Sequence, residues 1–119
     1  MDKQKETAYK IIIELTTEAY RLKKAFERAI NLLDIKEQKK NINKIKWFDN
    51  RLKDILDNYE LRIVDFEGEI YSSGIPATPI NLDDFDSDDE LFIKQTIEPT
   101  ILDKDSKIVQ TGSIIVEKA

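Results

Sequence analysis

Ala8, Ile12, Leu15, Ala19, Leu22, Phe26, Ala29 and Leu33 follow one another at steps of 4, 3, 4, 3, 4, 3 and 4. Steps of three and four place residues on one side of an α-helix, and their strict alternation is a heptad register. At the α-helical rise the stretch makes a rod of about 39 Å. A seven-residue period keeps the apolar stripe narrow, and such a seam is stable only when another helix covers it. The residues between the stripe positions are mostly Lys, Glu, Arg and Thr, as a solvated face requires. Ile11 and Ile13 lie off the stripe and widen it locally, as in a helix bundle.

The spacing predicts a pause near Leu33 and a fresh start. Asp34-Ile35-Lys36-Glu37 has the capping-box pattern, a short polar side chain followed three residues later by Glu. A second helix then runs to about Asn58, with Ile42, Ile45, Phe48, Leu52, Ile55 and Tyr59 at steps of three and four. Trp47 and Leu56 lie beside them, and Trp47 and Phe48 read as bundle core. Two arrangements fit. In one, a monomeric hairpin covers the first helix with the second. In the other, the first helix pairs with its copy and the second completes a four-helix bundle. The first stripe outlasts the second by roughly two turns, so a hairpin leaves its N-terminal part bare. A homodimer is therefore expected, with its seam at Ile12, Leu15, Ala19, Leu22, Phe26 and Leu33. Pairing also adds the buried area that so short a chain lacks for a core of its own.

From Glu60 the period changes to that of strands. Leu61, Ile63 and Val64 form a short β-type run, Glu67-Gly68 a turn, Glu69-Ile70-Tyr71 a resumption, and Ser72-Ser73-Gly74 a second turn. Pro76 and Pro79 restrict Ile75 to Leu82 to an edge-like extended segment. An acidic run, Asp83 to Glu90, follows. Leu91 to Glu98 and Ile108 to Glu117 are the two best strands, joined through the turn Asp103 to Lys107. The expected fold class is α+β: residues 1–59 a helical dimerisation region, coiled coil and bundle, and residues 60–119 a small all-β domain of five or six strands.

Charge and composition narrow the function. Residues 1–59 hold 14 Lys+Arg and 10 Asp+Glu, a net of +4, whereas residues 60–119 hold 5 and 14, a net of −9. Two surfaces with different tasks are expected, and the acidic half is unsuited to gripping nucleic acid. The chain contains no cysteine and no histidine. Disulfides and thiol chemistry are excluded, and so is the usual general base near neutral pH. Asp84, Asp86 and Asp88 have the spacing of the first calcium ligands of an EF-hand. However, Asp89 stands where that loop needs Gly and Gln95 where it needs Glu. No Gly-rich phosphate loop or placed carboxylate pair points to an enzyme. No apolar run is long enough to span a membrane, and the N-terminus lacks the apolar core of a signal peptide. The reading is a soluble cytoplasmic protein without catalytic residues, cofactor, metal, small-molecule ligand, nucleic acid or membrane partner.

A dimer-forming helix, a shorter second helix and a small C-terminal β-domain, in that order, resemble the GrpE family. Leu22 to Leu33, LKKAFERAINLL, is similar to the segment that ends the family's long helix, where a leucine-rich run leads to a D-x-x-x-A-L pattern. Ile45 to Val64, IKWFDNRLKDILDNYELRIV, resembles the second bundle helix running into a G-V-E-x-I first strand. Residues 91–119, LFIKQTIEPTILDKDSKIVQTGSIIVEKA, resemble the last hairpin, where the family carries a Gly-Tyr pair, a polar turn and an R-x-x-R-P-A-x-V-x-V strand. The resemblance covers about residues 10–119. It implies a co-chaperone of protein folding and the stress response. The family's β-domain binds the nucleotide-binding domain of a DnaK-class chaperone, favours its open cleft and accelerates ADP release. It further implies partner contacts at Tyr71, Thr96, Lys107 and Val116, with Lys107 matching a family Arg. Here Glu98-Pro99 replaces the Gly-Tyr pair and Gln110-Thr111-Gly112 the Arg-Pro-Ala stretch. These replacements favour, as the alternative, a dimeric adaptor that holds a partner without exchanging nucleotide.

Overall fold

The computed structural model describes residues 3–119. The chain divides into two compact units after Glu60. The first is helical. Helix α1 spans Lys3–Ile30, with Glu6 in its first turn and Arg28 in its last, each complementing the local end of the helix dipole. It closes on tightened bonds, Leu32 N to Ala29 O and Leu33 N to Ile30 O. Helix α2, Ile35–Asn58, starts where the capping pattern predicts: Asp34 Oδ1 accepts from Glu37 N at 2.9 Å. The Glu37 carboxylate pairs with Lys40, and Gln38 Nε2 reaches back to the free carbonyls of Leu33 (2.9 Å) and Asn31 (3.4 Å). The end of α2 is closed by Tyr59 N to Leu56 O and Glu60 N to Asp57 O, with Glu60 at φ 57°.

The side of α1 that becomes buried is not the heptad stripe. Thr16, Thr17, Tyr20 and Ile30 are its buried residues. Thr17 Oγ1 is satisfied by Ile13 O at 2.9 Å. The ammonium groups of Lys23 and Lys24 lie 4.9 and 5.5 Å from the centre of the Tyr20 ring. Lys23 Nζ also reaches Asp49 of α2 at 2.8 Å, tying the two helices. Helix α1 has 28 residues and α2 has 24. The stripe stays bare along much of its length, with Leu15 66% exposed and Leu22 71%, and Phe26 and Leu33 also exposed.

The second unit holds six strands in two three-stranded sheets. Strand β1 (Leu61–Val64) pairs antiparallel with β4 (Thr100–Asp103), and β4 pairs with β5 (Ile108–Gln110). In the other sheet β6 (Gly112–Lys118) lies between a parallel β2 (Ala77–Pro79) and an antiparallel β3 (Leu91–Glu98). Of the two long strands expected from the sequence, Leu91–Glu98 is β3, whereas the second is divided into β5 and β6, and β4 is added between them. They still form one hairpin, turning at Asp103 to Lys107, but it bends at Pro99 and Thr111 and its halves join different sheets. Pro99 has no N–H to extend the ladder. At the bend Gly112 N lies 3.2 Å from Thr100 Oγ1 and 3.3 Å from Pro76 O, while Thr100 Oγ1 donates to Pro76 O at 2.7 Å.

Alternation along β3 and β6 turns Leu91, Ile93, Ile114 and Val116 inward. With Ala77 they make the core, against which Phe66, Tyr71, Ile75 and Phe85 pack. Both sheet edges are managed. Asn81 extends the parallel edge beyond β2, its amide exchanging two bonds with the Val116 backbone at 2.9 and 3.0 Å. Residues 68–71 cover β3 through Gly68 N to Ile93 O, Ile93 N to Glu69 O and Tyr71 N to Leu91 O. Gly68 makes that turn at φ 88°.

Candidate partner-binding site

Lys107 closes the β4–β5 turn. The Asp103 carboxylate organises this turn, with Oδ1 accepting from both Asp105 N and Lys107 N at 2.9 Å. Asp103 N in turn donates to Lys107 O. The backbone of Lys107 is thus fixed while its side chain is exposed. Arg62 of β1 stands across the sheet from Leu102 and donates to Ser106 Oγ at 2.7 Å, which brings a third basic residue, besides Lys104 and Lys107, to the same tip. Sequence reading passed over Arg62 because it is separated from Lys107 by 45 positions. Only the β1–β4 register joins them. In a unit of strongly acidic balance this tip carries Arg62, Lys104 and Lys107, together with Asp103 and Asp105.

Tyr71 lies elsewhere, half-buried against the core of the β2–β6–β3 sheet. Its ring borders an open cleft of about 600 Å³ with Ser72, Ser73, Phe85 and the carboxylates of the acidic run. The other two candidates are interior. Val116 is 1% exposed and belongs to the core. Thr96 is buried, its N–H donating to Glu67 Oε1 at 2.8 Å and its hydroxyl to Asp65 Oδ1 at 2.9 Å. Val116 alternates inward with Ile114, and Thr96 is buried past the bulge that follows Ile93, so both shape the sheet rather than present a surface. Of the four candidates, Lys107 and Tyr71 reach solvent, and they belong to different parts of the unit.

The acidic run does not assemble the spacing of Asp84, Asp86 and Asp88. Asp84 ends a short 3₁₀ turn, Leu82–Asp84. The carboxylates that approach one another are those of Asp86, Asp88 and Asp89. Asp89 caps Asp86 N at 2.9 Å and lies 3.6 Å from Lys118 Nζ, so the run folds as a capped turn tied to β6.

In the helical unit, Ile12 and Ala19 of the expected seam are half-buried, whereas Leu15, Leu22, Phe26 and Leu33 are exposed. Leu22 and Phe26 form one wall of an apolar groove of about 620 Å³, and Ile45, Trp47 and Phe48 of α2 form the other. Among the described residues no helix is long and apolar enough to cross a membrane. No family model matches the chain, and no curated protein and no solved structure matches it either.

Proposed function

We propose that this chain is a cytoplasmic, GrpE-like co-chaperone that works as a homodimer. In this reading its β unit binds the nucleotide-binding domain of a DnaK-class chaperone and accelerates ADP release. One observation carries the reading: a helical hairpin with an uncovered heptad stripe precedes a small two-sheet β unit, the order of parts found in that family. The exposed tip that carries Arg62, Lys104 and Lys107 is the surface this reading assigns to the chaperone. The mechanism requires no catalytic residue. A factor that binds the open nucleotide cleft more tightly than the closed one shifts the population toward open, and ADP escapes. By linkage, nucleotide weakens the factor's binding by the same factor.

The alternative is a dimeric adaptor that holds a partner without exchange. It is favoured by the corner at Pro99, which is fully buried and whose carbonyl accepts from Gln110 Nε2 at 2.9 Å. Residues that replace a family contact motif serve here to bend the hairpin. Release of fluorescent ADP from a DnaK-class chaperone of the same organism separates the two. Acceleration of tenfold or more supports exchange. An unchanged rate together with stable binding of the chaperone supports the adaptor. An unchanged rate without binding removes both.

A further inference from the structure

We propose that the cleft beside Tyr71 takes an arginine side chain from an extended basic segment of a partner protein. At about 600 Å³ the cleft is within the size range of ligand sites. Its lining is of two kinds. Tyr71 and Phe85 are half-buried rings packed against the core of the β2–β6–β3 sheet, and both border the cleft. Asp83, Asp86 and Glu90 bring exposed residues with carboxylates to the same cleft. Arginine uses both kinds at once. Its apolar stem and flat guanidinium lie against an aromatic ring, and its fork of N–H donors pairs with a carboxylate.

The charges ask for a cation. Six acids occupy residues 83–90. Among the described residues the one cation paired with them is Lys118, 3.6 Å from Asp89. Asp83, Asp86 and Glu90 are left uncompensated in a half of the chain that carries a net of −9. They are spread over eight positions, which suits a segment with more than one basic residue. The walls are also set before anything binds. Tyr71 N donates to Leu91 O at 2.9 Å, Phe85 N to Leu82 O at 3.2 Å, and Asp86 N to Asp89 Oδ2 at 2.9 Å. Little then has to be ordered on binding. A divalent cation is the competing occupant, at Asp86, Asp88 and Asp89. However, Asp89 is already committed to Asp86 N and Lys118, and an aromatic wall offers a hard cation nothing. The cleft and the Lys107 tip belong to different sheets, so this proposal does not depend on the chaperone reading.

The full chain, isotope-labelled, is titrated with the capped peptide Gly-Ser-Arg-Gly-Arg-Ser-Gly while its amide signals are followed by NMR. Its Lys-for-Arg form and calcium chloride are titrated separately. The expected result is saturable shifts confined to residues 71–73 and 82–91, with the arginine form binding roughly threefold more tightly than the lysine form. Asp83→Asn with Asp86→Asn is expected to weaken binding about tenfold, the scale of two exposed ion pairs. Asp84→Asn with Asp88→Asn removes the same charge from the run but none from the cleft lining, and is expected to change affinity less than about twofold. Tyr71→Leu keeps an apolar side chain against the core and is expected to abolish the preference for arginine. Equal weakening by the two Asn pairs, or shifts spread over the acidic surface without saturation, would leave only a general charge attraction and overturn the cleft. Equal binding of the arginine and lysine forms overturns the arginine assignment. Shifts with calcium at Asp86, Asp88 and Asp89, and none with peptide up to the millimolar range, overturn the proposal in favour of a cation.

Discussion

Gly112 stands where the final hairpin leaves one sheet for the other. A Cβ there would lie 2.6 Å from Thr100 Oγ1, 2.9 Å from Glu98 O and 3.0 Å from Thr100 N. Two of these neighbours are backbone and cannot rotate away. Gly112→Ala is therefore expected to destabilise the β unit by about 1–3 kcal/mol, the range for overpacking. Urea unfolding followed by β-unit amide signals measures it, and an unchanged midpoint would show that the bend yields. Lys107 makes the opposite case. Asp103 fixes its backbone and solvent surrounds its side chain. Lys107→Glu is thus expected to leave the unfolding midpoint in place and, under the proposed co-chaperone function, to weaken chaperone binding roughly tenfold or more, the scale of a reversed interfacial charge. Titration calorimetry with the isolated nucleotide-binding domain tests this, and equal affinities would remove Lys107 from the contact. The same residues mark how far a site is legible in sequence. Lys107 is identifiable as a turn cation. Val116 follows the apolar alternation of β6, but nothing local tells that Thr96 faces inward, because two bulges shift the register of β3 against β6. Inward and outward positions are then set by the partner strand.

At the scale of elements, the Asp34 cap was readable because capping is local chemistry within four residues. Asp34→Ala is expected to cost about 1 kcal/mol, since Glu37 N loses its acceptor at the start of α2. Thermal unfolding followed by helical circular dichroism measures the loss, and the Asp34→Asn control is expected to retain most of the stability. The strands were legible as β-branched runs, and the edge position of β2 followed from Pro76 and Pro79. Their partners were not. The parallel pairing of β2 with β6 spans 35 positions, and the break of the last hairpin into four strands depends on the Pro76 carbonyl meeting Thr100 and Gly112. Neither Pro99 nor Gly112 announces a change of sheet by itself. They create one together because they face each other across the ladder.

For the whole molecule the decisive quantity is how much apolar surface the single chain leaves bare. Leu22→Glu puts a carboxylate into the stripe, where a closed interface would strand it unpaired. It is expected to turn a two-chain mass into a one-chain mass by light scattering; an unaltered mass would place the seam elsewhere. The sequence alone determined that this protein has two helices, a β-rich C-terminal unit and an apolar stripe in need of cover, because period and turn chemistry act over a few neighbouring residues. Tertiary structure alone decided which face each helix turns inward. Helix α1 buries the side bearing Thr16, Thr17 and Tyr20 and leaves its heptad stripe open, and the last hairpin divides between two sheets. Periodicity states that an apolar face must be covered but not by what. That choice depends on contacts between residues distant in the chain, such as Lys23 with Asp49 and Thr100 with Pro76, whose fit is decided only when the elements meet.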